Sequence, residues 1–285
     1  MTAIPDRRIT PFRADLAAGH LRGQVEAPAF AEPRPMRVVA PSAPLRREPR
    51  PDAPLDTEAL AGELVQVYER HEGWAWGQLA GDGYVGYLPD EALRSDAPAP
   101  THRVSALRTF IYPGPSIKLP PLAALSLAAG VTVAEETREF ALLADGGHVF
   151  LKHLAPPDRF APDFVAVAEG FRGVPYLWGG KTSLGLDCSG LTQLALAAAG
   201  IAAPRDSDMQ EAALGTAVPF DDSLSGLRRG DLVFWKGHVG ILTDPDTLLH
   251  ANGYTMTVFS EPLREARDRI LAKSFGAITN IKRLA

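Results

Sequence analysis

The residue with the most pointed chemistry is Cys188, the single cysteine among 285 residues. One cysteine cannot close an internal disulfide or build a thiolate zinc cluster, so it is either a small buried hydrophobe or a reactive thiol. It stands in Asp187-Cys188-Ser189-Gly190-Leu191, directly ahead of an alanine-rich run. An Asp before such a run is a natural amino-terminal cap, which predicts a helix over residues 189–199, ended by Gly200, with Cys188 at its mouth. Unpaired N–H groups and the positive end of the helix dipole stabilise a thiolate there, the form that attacks a carbonyl carbon.

Two histidines supply a partner: His238 in Gly237-His238-Val239-Gly240-Ile241 and His250 in Leu248-Leu249-His250-Ala251-Asn252. If Asp244-Pro245-Asp246 is a hairpin loop, Thr243 pairs with Thr247 and Gly240 with His250. His238 and His250 then share a face as diagonal neighbours, roughly 7–8 Å apart at the backbone and within side-chain reach. A slip of one residue would put them on opposite faces. In the first arrangement His238 can take the proton of Cys188, while His250 orients that imidazole and fixes its tautomer. Taken singly, each histidine is more commonly a satisfied polar residue near a loop. Gly147-His148-Val149 has the same look in a stretch with no thiol. Neither a further cysteine nor a His-Glu-x-x-His spacing is present, so no metal and no organic cofactor is expected.

The elements that would position these groups differ along the chain. From Pro28 to Pro54 recurrent proline predicts an extended entry segment with one short strand at residues 36–39. Alternating runs at residues 64–68, 74–79 and 84–88, separated by Glu72-Gly73 and Asp82-Gly83, predict a small all-β barrel. A weaker echo at residues 130–133, 140–143 and 149–151, with an Asp145-Gly146 turn, predicts a second barrel in tandem. Beyond Pro157 the pattern is helix first, over 163–171 and 189–199, and then strands at 232–235, 239–243, 247–251, 256–260 and 277–282. The fold class expected is therefore an α+β carboxyl-terminal domain, helices packed on an antiparallel sheet, preceded by two all-β barrels. The expected boundaries are 1–97 for the amino-terminal segment with the first barrel, 98–157 for the second, and 158–285 for the α+β domain.

Bulk properties narrow the partners. The chain is 46% hydrophobic and 22% charged, ordinary for a folded globular protein. A formal net charge of −5 disfavours binding to a phosphate backbone, so no nucleic-acid partner is expected. Residues 1–24 carry scattered arginines and no continuous apolar run of the kind an export signal needs. No span approaches the ~20 apolar residues of a membrane helix, since the run 122–129 stops at Gly130. A cytoplasmic protein without a membrane partner is the expectation.

Five motifs in one order carry a family resemblance: Pro175-Tyr176-Leu177-Trp178-Gly179-Gly180, Asp187-Cys188-Ser189-Gly190-Leu191, Arg205-Asp206-Ser207 with Gln210, residues 230–235, and His238-Val239-Gly240-Ile241. Together they resemble the NlpC family of papain-like cysteine endopeptidases, over about residue 164 to the carboxyl terminus. The barrels look like the bacterial SH3-like domains that often precede this unit. The resemblance implies hydrolysis of the γ-D-glutamyl–diamino acid bond, usually to meso-diaminopimelate, in peptidoglycan stem peptides. It also implies roles by position: Cys188 nucleophile, His238 base, His250 orienter, with Tyr176 and the Cys188 N–H stabilising the oxyanion. Ser189, Arg205, Asp206 and Ser207 match positions that hold the D-glutamyl carboxylate and nearby backbone, a task that suits a guanidinium.

Family members with SH3-like domains and no export signal resemble a recycling branch acting on released peptides of the L-Ala-γ-D-Glu-diaminopimelate type. In that branch a barrel tyrosine and an acid bind the free amine together with the Asp before the nucleophile. Tyr84, Glu58 and Asp187 are the matching candidates, with Glu63 a rival to Glu58. The competing expectations are an amidase or acyltransferase on the same frame, and a cell-wall binding protein with a degenerate catalytic domain.

Overall fold

The computed structural model describes residues 5–284, so the first four residues of the arginine-bearing amino terminus lie outside it. The chain divides into two compact units, Met1–Pro157 and Asp158–Ala285.

The first unit is built on a seven-stranded sheet whose order is Leu55–Leu60, Ser42–Arg46, Val85–Pro89, Trp74–Leu79, Leu64–His71, Arg34–Val38, Leu93–Arg94. Alternation along these strands places Met36, Leu45, Val65, Ala75 and Leu88 in one core. The turn between Leu64–His71 and Trp74–Leu79 has Glu72 at φ 47° and Gly73 at φ 80°, the doubly left-handed geometry that matches strand twist. The proline-rich stretch carries the expected short strand, here Arg34–Val38, and is more ordered than an extended entry segment. It contributes three strands, Ala29–Ala31, Arg34–Val38 and Ser42–Arg46, and the last two belong to the sheet. Proline is tolerated here because Ser42–Arg46 pairs along its length with only one neighbour and meets the other at Arg46 alone. Residues 102–155 form three smaller sheets, the last made of Val133–Glu136, Phe140–Leu143 and His148–Phe150.

In the second unit four helices, α1 (Phe164–Gly170), α2 (Cys188–Ala198), α3 (Ser207–Ala213) and α4 (Leu263–Lys273), accompany a six-stranded antiparallel sheet. Its order is Thr216–Ala217, Ile278–Arg283, Leu232–Trp235, His238–Asp244, Thr247–Asn252, Thr257–Pro262. Helix α2 is buried nearly all round and packs on the two histidine-bearing strands. Helix α4 lays Leu263, Ala266 and Ile270 against Val233, Leu242 and Leu248 of the sheet. Neither α3 nor α4 was anticipated. Short helices with polar sequences win their shape from the surface they cover rather than from propensity.

Candidate active site

The amino terminus of α2 is shaped by one carboxylate. Asp187 caps the helix, its Oδ1 accepting from the Gly190 N–H at 2.7 Å, and its Oδ2 accepts from the Gly179 N–H at 2.9 Å. The same carboxylate is gripped by Arg205, whose Nη1 and Nη2 lie 2.9 and 2.7 Å from Oδ1 and Oδ2. Arg205 Nη1 also donates to Ser189 Oγ at 2.8 Å. Arg205 is 1% exposed, so the side chain expected to meet a substrate carboxylate is instead buried on Asp187. Burying a guanidinium is tolerable only when it is paired this fully, and that requirement decides where the fork points. Ser189 is buried in this network, and Ser207 is the buried first residue of α3 with Asp206 half-buried before it. Gln210 ties the two helices by donating to the Ser189 and Pro204 carbonyls at 3.0 and 2.9 Å.

Cys188 is the first residue of α2 and is buried. The Val239 and Ser189 N–H groups face its sulfur, which sets the thiol beside the residue that follows His238. The helix start was expected to favour a thiolate, and those N–H groups act in that direction. Burial first, and then the Asp187 carboxylate, outweigh them and push the thiol up to about 12. The same two effects favour the neutral thiol over the thiolate. Tyr176, half-buried, is coupled electrostatically to Cys188 and Asp187. Burial, followed by the neighbouring Cys188 and Asp187, raises its phenol above the ordinary range, so it remains an O–H donor.

The two histidines meet. Ile241 pairs with Leu249 and Leu242 with Leu248, the register in which Gly240 faces His250. The loop is shorter than expected: Asp244 pairs with Thr247 around Pro245-Asp246, and Thr243 is absorbed in a bulge. The bulge takes up the extra residue locally, so the diagonal relationship survives. His238 Nε2 and His250 Nδ1 lie 2.7 Å apart. Gly240 makes room for this crossing, since a Cβ there would come within 2.6 Å of Leu248 Cδ1 and 3.2 Å of His250 Cβ. His238 is buried, stacked on Phe275 at 5.1 Å with 4° between the rings and tilted against Trp235 at 5.7 Å. Burial, with His250 and Arg269 adding to it, holds His238 well below 6.5. Burial also lowers His250, against the opposing pull of Glu261.

Sequence reasoning missed Glu261 and Arg269. Glu261, near the end of Thr257–Pro262, has Oε1 2.8 Å from His250 Nε2, and Arg269 of α4 pairs with the same oxygen. Burial pushes the Glu261 carboxyl up, but the bond from His250 and the Arg269 charge bring it net below the usual range. The apolar spacing of Leu263, Ala266 and Ile270 is the helix signal that would have placed Arg269 near the sheet.

The barrel candidates are placed differently. Tyr84 is 5% exposed and belongs to the barrel core, because its ring completes that apolar cluster. Glu58 is half-buried in Leu55–Leu60, with Ser42 Oγ 3.5 Å from its carboxylate. Among the described residues no group of three or more His, Cys, Asp and Glu side chains is arranged to hold a metal, and no helix is long and apolar enough to cross a membrane.

A buried thiol at a helix start, beside a paired-histidine strand, is an arrangement able to carry out acyl transfer. Comparison with known proteins agrees with that chemistry. Residues 45–93 match the bacterial dipeptidyl-peptidase Sh3 domain, and residues 173–269 match the NlpC/P60 family. The gamma-D-glutamyl-L-lysine dipeptidyl-peptidase of Bacillus subtilis is 28% identical over 223 residues, covering 70% of this chain and 73% of the relative. A probable endopeptidase of Corynebacterium glutamicum is 44% identical over 100 residues, 34% of this chain and 46% of that protein. The crystal structure of an NlpC/P60 family protein from Bacillus cereus superposes with a TM-score of 0.71 at 22% identity, covering 87% of this chain and 99% of the other, a likeness of fold. The chain therefore joins an SH3 domain of the bacterial dipeptidyl-peptidase kind to a papain-like NlpC/P60 domain, and it is a cysteine-type peptidase.

Proposed function

We propose that this cell-wall peptide endopeptidase hydrolyses the bond between γ-D-glutamate and an L-diamino acid, with Cys188 as nucleophile, His238 as base and His250 as its orienter. The observation that carries the reading is the 2.7 Å contact between His250 and His238, the latter on the strand whose Val239 N–H faces the chain's one thiol. With Nε2 of His238 committed to His250, Nδ1 is the atom left to receive the sulfur's proton.

The chemistry follows from the resting neutral pair. As the Cys188 sulfur bonds to the carbonyl carbon, its proton passes to His238 Nδ1. The tetrahedral oxyanion takes hydrogen bonds from the Tyr176 phenol and the Cys188 N–H. Collapse breaks the C–N bond, and the diamino acid leaves as an amine carrying the proton from His238. Water then attacks the thioester, gives a proton to His238, and the acyl group departs as the γ-D-glutamyl acid while the thiol is restored.

The substrate proposed is a released stem peptide with a free amino-terminal L-alanine, acted on in the cytoplasm. Similarity to proteins named dipeptidyl-peptidases supports it, since such enzymes act next to a free amino terminus. The Bacillus relative's name specifies L-lysine, whereas the expected diamino acid here is meso-diaminopimelate. Mass spectrometry of products from L-Ala-γ-D-Glu-diaminopimelate, its lysine analogue and the acetylated forms of both tests the reading. Release of L-Ala-γ-D-Glu from the free-amine peptides alone is expected. Intact tripeptides beside turnover of another amide or ester would favour an amidase or acyltransferase.

A further inference from the structure

We infer that Glu261, locked by Arg269, is a positioning residue that holds the two histidines in the single proton arrangement the reaction needs. This rests on the reading of Cys188, His238 and His250 as the catalytic set. The logic is one of donors and acceptors. An ionised carboxylate only accepts, so at 2.8 Å from Glu261 the His250 Nε2 must carry hydrogen. A neutral imidazole then presents Nδ1 as an acceptor, and at 2.7 Å from it His238 Nε2 must donate. The lone pair of His238 is thereby confined to Nδ1, the nitrogen free for the thiol. Reversing the chain would set two lone pairs against each other inside a buried site.

Arg269 keeps the far end of this chain in place. Its guanidinium pairs with Glu261 and lies 4.3 Å over the Tyr254 ring, and the side chains of Arg269 and Glu261 are 16% and 12% exposed. The charged groups facing the histidine pair are Glu261 from the outer strand and Arg269 from α4, with Trp235 and Phe275 adding uncharged rings, while Cys188 of α2 meets the His238 strand at the Val239 N–H. Glu261 therefore favours the imidazolium that forms during attack, and Arg269 opposes it.

The two charges make opposite demands, which a merely structural pair would not. Glu261→Gln removes the carboxylate charge, so kcat falls on the order of 10–100-fold and the acid limb of kcat/KM moves to lower pH. Arg269→Gln removes the cation, so the limb moves to higher pH. In the wild-type protein, nitrogen-15 imidazole spectra should show both His238 and His250 protonated on Nε2, a readout that survives even if a variant fails to fold. Limbs unmoved in both variants, or a His238 protonated on Nδ1, would overturn the inference. Turnover retained by Cys188→Ala would instead remove the catalytic reading and leave the spectral arrangement standing.

Discussion

Arg205 and Asp187 form a two-pronged ion pair inside the second unit, with contacts of 2.9 and 2.7 Å and side-chain exposures of 1% and 12%. The pair spends a guanidinium on the residue that caps α2. Arg205→Ala should leave a buried, unpaired carboxylate and cost about 3–5 kcal/mol, read from the urea midpoint. Arg205→Lys cannot reproduce the fork and should recover only part of it. A loss below about 1 kcal/mol for the alanine variant would show that the pair behaves like an exposed one.

In the proposed mechanism the Tyr176 phenol donates to charge that exists only in the transition state. Tyr176→Phe should lower kcat about 100–1,000-fold with little change in KM. A KM effect with kcat preserved would reassign the phenol to ground-state binding.

The buried histidines set a pH dependence of stability. Unfolded, both titrate near 6.5; folded, burial lowers both, so between these values the unfolded chain holds more protons. Their contribution is full above about 6.5 and is lost as pH falls through the folded values, at up to about 1.4 kcal/mol per pH unit for each imidazole. Urea unfolding followed from about pH 8 down to about pH 5 should show this decline, diminished in His238→Gln. Stability that rises on acidification through that window would contradict the burial of neutral imidazoles.

Phe275 covers His238 while itself 41% exposed. Phe275→Ala should admit water to the imidazole, relieve the burial that depresses it, and move the acid limb of kcat/KM to higher pH. An unmoved limb would mean that other walls keep the ring dry.

The site was legible in the sequence where chemistry and local geometry coincide. The cap before Cys188 and the alternation through His238 and His250 survive because they depend on neighbours within a few residues or one hairpin. What escaped depends on tertiary context. Arg205 could be recognised as a carboxylate-binding side chain, but only packing reveals that the carboxylate belongs to Asp187. Glu261 lies eleven residues from His250 along the chain and beside it across one ladder, and α4 brings Arg269 to the same place. The prolines of residues 28–54 argued for an extended entry segment with a single strand, yet proline with an unpaired strand side is compatible with a second strand of the sheet.

The most direct measurement is peptide-level mass spectrometry of enzyme quenched in acid during turnover of L-Ala-γ-D-Glu-diaminopimelate. The expected result is an L-Ala-γ-D-Glu acyl group on Cys188, with neither adduct nor turnover in Cys188→Ala. Unmodified Cys188 during full turnover, together with activity in the alanine variant, would contradict nucleophilic catalysis by this thiol.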